Sequence, residues 1–471
     1  MNDMPMLGAS QMVAGYRRHD FSPVEVMCAV LDRVTRLDPA VNSLCALDED
    51  QALAAARESE RRWMRAEPSG LLDGVPVSVK DLVATQGLPT RHGSLTSSSE
   101  PADEDAPAVA RLRQSGAILF GKTTTSEFGN KIVTDSPLTG VTRNPWDTRL
   151  SPGGSSGGSA VAVALGMGPL SLATDGGGSI RIPACWSGVV GFKPSFGLIP
   201  SGAACSWAAL STLGPIARTV RDAALMLGVI AREQTGEFEY VAGCAGYNTM
   251  LGDDVTGLRI AYCPAPAGMR VEPGIADCVR QAADLFEALG ARVEETVVDP
   301  LADYAENRMH SIQWGVLFAQ RVRLMRPEQR AQLDRDVLEL ASAGGQVGTP
   351  AFVDALDARH TLAAGMDAFF RRHDLLLTPT FHCGPPPVPG LPAGLRSAPV
   401  LTSWCNQTGL PAVSVPCGLS DGLPVGLQII GRRRGDALVL RAARAYEAAR
   451  GPFPIPEAAR GPVSADAGFR S

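Results

Sequence analysis

Apolar positions recur along the chain with two different periods, and each period predicts an element. Val26, Val30, Val34 and Leu37 stand three or four residues apart behind Ser22-Pro23-Val24-Glu25. That start has a capping-box Ser and Glu and a proline at the first helical position, so a helix is predicted from Pro23, ending at Pro39. A second helix is predicted over 47–66. Val75, Val77 and Val79 alternate with Pro76, Ser78 and Lys80, the period-two signature of a strand, here with its charge at the C-terminal end. Residues 105–115 read as a helix ended by Gly116, and 117–120 as a short apolar strand.

Farther on, Ala160–Leu165 is an apolar, helix-forming run and Ser171–Thr174 reads as a strand. Leu258–Tyr262 and Arg292–Val298 read as strands. Between them Ile275, Val279, Ala282, Phe286 and Leu289 mark one helix face, capped at Gly290. Strand, helix and strand make a βαβ unit, which favours a parallel or mixed sheet covered by helices. Prolines 385, 386, 387, 389, 392 and 399 make 381–400 a surface loop. Asp436–Arg450 reads as a last helix and 451–471 as a partly loose tail. With no internal repeat and no linker between halves, the pattern predicts one α/β domain over 1–471, its ordered core spanning roughly 10–450.

Composition narrows the class. The 471 residues are 45% hydrophobic and 20% charged, with net charge −6; this excludes wholesale disorder and leaves no basic footprint for nucleic acid or an anionic membrane. No apolar run approaches the length of a membrane span, and the N-terminus lacks a signal-peptide pattern. The ten cysteines are scattered without a C-x-x-C pair, which suits core fillers in a reducing, cytoplasmic setting. No H-x-x-x-H or H-E-x-x-H pair occurs among the six histidines, so no metal is expected. Gly and Pro stand out: 50 and 36 residues, about 18% of the chain against an average near 12%.

Three glycine-rich stretches compete for a chemical reading. Gly116-Ala-Ile-Leu-Phe-Gly121-Lys122-Thr123 satisfies the nucleotide-loop pattern G-x-x-x-x-G-K-[ST]. A phosphate cradle needs free loop amides between a strand and a helix, whereas this apolar segment follows a helix cap and reads as strand, so the match is chance. Gly153-Gly-Ser-Ser-Gly-Gly-Ser159 precedes an apolar helix and is therefore pinned against the core rather than acting as a linker. Asp175-Gly176-Gly177-Gly178-Ser179 follows a strand. Three glycines before a serine suit an arc of backbone N–H groups beside a nucleophile, although a plain turn would explain such a motif standing alone. A serine needs a base, and no histidine lies near these turns. Lys80 is the candidate, provided that burial lowers its pKa by several units. A strand-end lysine paired with Asp81 is the simpler reading of those two residues alone.

Together, Gly74–Asp81, Gly153–Ala160 and Asp175–Ala184 resemble the amidase signature family of serine hydrolases. Asn144-Pro-Trp146, Gly191-Phe-Lys-Pro194, Asp374–Thr380, Asn406–Pro411 and Gly422–Gly431 agree as well. The likeness covers roughly 10–450 and is only in outline over 230–370. It implies a central mixed, twisted β-sheet with helices on both faces. It also implies Ser179 as the acyl-forming nucleophile, Ser155 as the bridging serine, Lys80 as the base, and a cis peptide at Gly154–Ser155. The backbone N–H groups of Gly176, Gly177, Gly178 and Ser179 would hold the oxyanion, with Asp175 and Arg181 bracing the loop. Gly176 departs from the pattern, because many relatives have a larger residue there.

The resemblance further implies hydrolysis of a small soluble carboxamide to carboxylate and ammonia or amine. It implies no cofactor, metal, nucleic acid or membrane, and leaves a homodimer open. Carbamate, ureide or oligoamide cleavage uses the same acyl chemistry. A second reading is the amidase component of a tRNA-dependent amidotransferase, although 303–345 does not resemble that component's middle segment. A catalytically dead binding protein is disfavoured because Lys80, Ser155 and Ser179 are all present. Phe128–Asp135, the Trp314–Phe318 helix face, Phe381, His382 and Trp404 are the candidates for the substrate pocket, each also explicable as ordinary packing.

Overall fold

A computed structural model describes residues 4–200, 210–231, 246–390, 392, 395 and 400–460. Asp135–Ser136 pairs separately with Gly140–Val141, and the other eleven of their strands form one mixed sheet. Its spatial order is Leu44–Leu47, Ile118–Thr123, Pro76–Lys80, Leu170–Asp175, Thr212–Ala217, Val190–Lys193, Ala412–Ser420, Leu423–Gly431, Leu375–Pro379, Arg259–Tyr262 and Arg292–Glu295.

Alternation along the strands decides what lies on each face. Leu375 and Leu377, Ile260 and Tyr262, and Leu427 and Ile429 share one core cluster with the helices Pro107–Gln114, Val220–Ile230, Pro273–Ala288 and Asp436–Arg450. The intervening Leu376, Ala261 and Ile430 point the other way and meet Phe369, Met366 and Trp404. On the same side, at the far end of the sheet, Ile118 and Phe120 pack on the helices Pro23–Val41 and Glu49–Met64. Helices therefore cover both faces. The inner strands read as nearly continuous apolar runs because neither of their faces meets water, whereas the edge strand Arg292–Glu295 is largely exposed.

The predicted βαβ unit is present, with Arg259–Tyr262 and Arg292–Glu295 parallel and Pro273–Ala288 between them. The capping box at Ser22 also forms, with Glu25 N–H donating to Ser22 Oγ. That helix, however, continues through Pro39 to Val41. A proline in the last turn removes only one backbone bond, and the helix stops where Asn42 takes a left-handed φ of 54° and donates to Asp38 O. The predicted strand at 117–120 extends to Thr123, since it is flanked by parallel Pro76–Lys80 and antiparallel Leu44–Leu47. Lys122 is buried within it, so the G-x-x-x-x-G-K-T run is sheet and not a phosphate loop. Asp421-Gly422, both at positive φ, close the hairpin Ala412–Gly431, a D-G signal that the periodicity reading passed over. The predicted tail is packed as far as Arg460, because Arg33 donates to Ala459 O and Ala459 is fully buried; residues 461–471 lie outside the described residues.

The topology also places the chemistry. Pro76–Lys80 and Leu170–Asp175 are adjacent and parallel, with Val79 opposite Leu172. Their carboxyl ends, the usual location of ligand sites in such sheets, therefore bring Lys80 and Thr174 together.

Candidate active site

Lys80 ends its strand fully buried. Its Nζ lies 2.8 Å from Ser155 Oγ, 2.7 Å from Ser156 Oγ and 2.9 Å from Thr174 Oγ1. Asp81, its neighbour, turns its carboxylate to the backbone N–H groups of Arg91 at 2.9 Å and Gly93 at 3.2 Å. The lysine thus sits in a ring of hydroxyls. An ammonium would donate to all three oxygens. A neutral amine would donate to two and accept from the third, and either state is satisfied by this geometry.

Ser155 is buried and joined to Gly154 by a cis peptide bond. The loop 128–135, expected as pocket wall, mainly buttresses this turn. Thr134 Oγ1 donates to Gly153 O at 2.8 Å and accepts the Gly157 N–H at 3.0 Å. Gly129 lies so close that a Cβ there would meet Ser155 Oγ at 3.1 Å. The turn leads directly into the buried helix Gly157–Ala164.

Ser179 is partly exposed, as a group that meets substrate must be. Its carbonyl accepts the Ser156 N–H at 3.2 Å, which ties the triple-glycine turn to the Ser155–Ser156 turn. The arc of the glycines is shaped by Asp175. Its carboxylate accepts the N–H groups of Gly178 at 2.7 Å, Ile180 at 3.1 Å and Arg181 at 3.4 Å. The Gly178 N–H, expected among the oxyanion donors, is therefore already committed to a charged acceptor that outcompetes a distant ligand oxygen. The N–H groups of Gly176, Gly177 and Ser179 have no hydrogen bond among the described residues. Only glycine fits position 178, where φ is +135° and a Cβ would stand 2.3 Å from Thr402 Oγ1.

Asp175 and Arg181 do brace the loop. Both are fully buried and form a two-point pair at 2.8 and 2.9 Å. Burial alone would raise the Asp175 carboxyl; the Arg181 guanidinium overrides it and holds the group well below the usual carboxylate range. Arg181 also donates to Thr402 O, Gln428 Oε1 and Asn406 Oδ1, while Asn406 Nδ2 returns to Asp175. This network fastens the loop to the helix Val400–Thr408 and the strand Leu423–Gly431.

Arg181→Met would leave the carboxylate buried without its partner. We expect a loss of about 3–5 kcal/mol of stability, read as a shifted urea midpoint at unchanged slope; a loss under about 1 kcal/mol would contradict the bracing role. The pH dependence follows from the sign. Asp175 titrates lower folded than unfolded, so the pair's contribution is complete above about pH 4 and disappears only as pH falls through the depressed folded value. In Arg181→Met burial alone raises the Asp175 carboxyl, so protonation relieves the variant first. The wild-type advantage should begin to shrink in mild acid and shrink further in strong acid, where the wild-type pair is itself protonated.

Ser156 lies inside the Gly153–Ala160 motif and Thr174 adjoins the Asp175–Ala184 motif, yet the sequence singles out neither as a site residue. Asn406 and Gln428 fall in stretches that agree with the resemblance without any physical role, and Thr402 gives no signal. Among the pocket candidates, Trp314 lies over the glycine loop (a Cβ on Gly176 would meet its ring at 3.0 Å). Trp404 is fully buried core, and Phe381 packs edge-on against Trp186 and also meets the His382 ring.

Comparison with known proteins gives the family. The profile of the family described as Amidase matches residues 25–440. An acylamidase of Rhodococcus erythropolis is 37% identical over 94% of this chain and 95% of its own. A component of the glutamyl-tRNA(Gln) amidotransferase of Salinispora arenicola is 34% identical over 97% of this chain and 100% of its own. Among solved structures, a bacterial aryl acylamidase of the amidase signature family superposes with TM-score 0.85 and 31% identity over 94% of this chain and 96% of that one. A 6-aminohexanoate cyclic dimer hydrolase superposes with TM-score 0.89 and 29% identity over 97% and 100%. The chain belongs to the amidase family and is an amide hydrolase.

Proposed function

We propose that this hydrolase cleaves a small carboxamide through an acyl-enzyme on Ser179, with Ser155 and Lys80 as the proton relay. The observation that carries this reading is the buried hydroxyl ring around Lys80 Nζ, one member of which is Ser155. Ser179 Oγ attacks the carbonyl carbon and passes its proton to Ser155 Oγ as Ser155 passes its own to Lys80 Nζ. The oxyanion is received by the N–H groups of Gly176, Gly177 and Ser179, prealigned donors of the kind that stabilise such intermediates by several kcal/mol. The C–N bond then breaks and the proton returns along the relay to the leaving nitrogen. Water hydrolyses the Ser179 ester by the same relay and releases the carboxylate.

The substrate reading draws on the relatives' names, an acylamidase and an aryl acylamidase, and on the lack, among the described residues, of any helix long and apolar enough to cross a membrane. Carbamates, ureides and oligoamides would enter the same acyl chemistry. A second reading is favoured by the amidotransferase relatives: an amidase chain that works only with partner proteins. The purified chain alone decides between them. Release of ammonia or amine from simple amides without added partners is the expected result; activity appearing only with partners would reverse the assignment.

A further inference from the structure

Within the proposed mechanism, the close approach of the Trp314 indole to Gly176 points to substrate selection. Trp314 lies on the helix Met309–Arg323, and its indole is pinned at both ends. Nε1 donates to Asn130 O at 3.4 Å, on the loop that buttresses Ser155. The benzo edge reaches the triple-glycine turn, where a Cβ on Gly176 would stand 3.0 and 3.1 Å from two of its carbons. The ring thus reaches from the loop behind Ser155 to the turn that holds Ser179. It is partly exposed, whereas Gln313, Gly315 and Phe318 around it on the same helix are buried. One face is covered by the His310 ring, stacked at 5.8 Å and 18°. Burial holds that imidazole down to about 4, so it is uncharged near neutral pH and adds no field that would favour an anionic group.

An uncharged aromatic plate beside the oxyanion turn binds flat, neutral rings better than puckered ones, because offset or edge-on ring contacts add to simple burial. We infer that Trp314 is a specificity-determining wall of the substrate site, selecting amides with an aromatic ring next to the scissile group, and that position 176 lacks a side chain in order to admit it. A larger residue at 176 would displace the indole from the turn.

The test compares matched substrates: benzamide with cyclohexanecarboxamide, and acetanilide with N-cyclohexylacetamide. The reading is the ratio of kcat/KM, aryl over cyclohexyl, within each pair. In at least one pair, Trp314→Ala should lower the ratio about tenfold, the size expected for losing one aromatic contact. Trp314→Phe should keep most of it. Gly176→Ala should lower the ratio in the wild-type background and have no further effect on it in Trp314→Ala, since the ring it displaces is gone. If Trp314→Ala does not fold, Trp314→Leu takes its place in both comparisons. A ratio unchanged in the folded variants, or lowered by Gly176→Ala equally in both backgrounds, overturns the inference. Mass spectrometry of the acyl-enzyme separates this from the parent reading. An acyl-enzyme with an unmoved ratio removes only the role of Trp314, whereas no acyl-enzyme from any of the four amides removes the Ser179 mechanism itself.

Discussion

Ser179→Ala should lower kcat/KM for amides by at least about 10⁴-fold and leave no acyl-enzyme, as loss of a nucleophile does in other serine hydrolases. A serine-directed fluorophosphonate should label the wild type once and the variant not at all. The reasoning is geometric. Ser179 is the partly exposed hydroxyl at the end of the triple-glycine turn, whereas Ser155 and Ser156 are sealed against Lys80. The fold should survive, because the Ser179 contact that ties the turns together is its backbone carbonyl. Normal turnover in the variant would end the assignment, and absence of labelling in the wild type would revive a binding protein without catalysis.

Lys80→Ala should cost about 10²–10⁴-fold, the usual range for removing a general base. The pH profile distinguishes a base from a structural cation. A lysine that receives the proton must begin with a free lone pair, so wild-type activity should fall on the acid side as Lys80 becomes protonated. In Lys80→Ala the residual activity should lack that limb, and Ser155→Ala should be impaired to a similar extent because the relay passes through it. An acid limb unchanged in Lys80→Ala would assign the titration to another group. Circular dichroism of each variant guards against misfolding, since removing Lys80 leaves three hydroxyls that can still bond one another.

How much of the protein is legible from sequence depends on the range of the interaction. The helix start at Ser22 is written in four adjacent residues, so it can be read. The helix end is misplaced at Pro39 by the same reading, because what stops the helix is the left-handed Asn42 and its tertiary setting. The edge strand Leu44–Leu47 leaves no usable pattern, since its existence depends on pairing with residues near 121–123. The site shows the same division. Ser155 and Ser179 stand out because the turns that hold them need glycines at fixed local positions, and Lys80 because it is the one charge ending an alternating strand. Ser156 and Thr174 do not, because a hydroxyl around a buried amine has no local signature. The Asp175–Arg181 pair is recognisable as bracing, yet its anchors Thr402, Asn406 and Gln428 lie more than 200 residues away. The Gly178 N–H counts among the oxyanion donors on sequence, and only the fold puts the Asp175 carboxylate on it.

By itself, then, the amino-acid order determined the class of fold, through apolar runs of strand and helix period, and it singled out Lys80, Ser155 and Ser179 as the proposed reacting side chains, through the resemblance that their motifs carry. Only the tertiary structure decided which hydroxyls surround that lysine, which glycine amides remain available, and that an indole from a helix more than 130 residues away lies across Gly176. The reason is physical: backbone turns are specified by neighbouring residues, but burial, pairing and close approach are set by whichever segments the sheet order brings together.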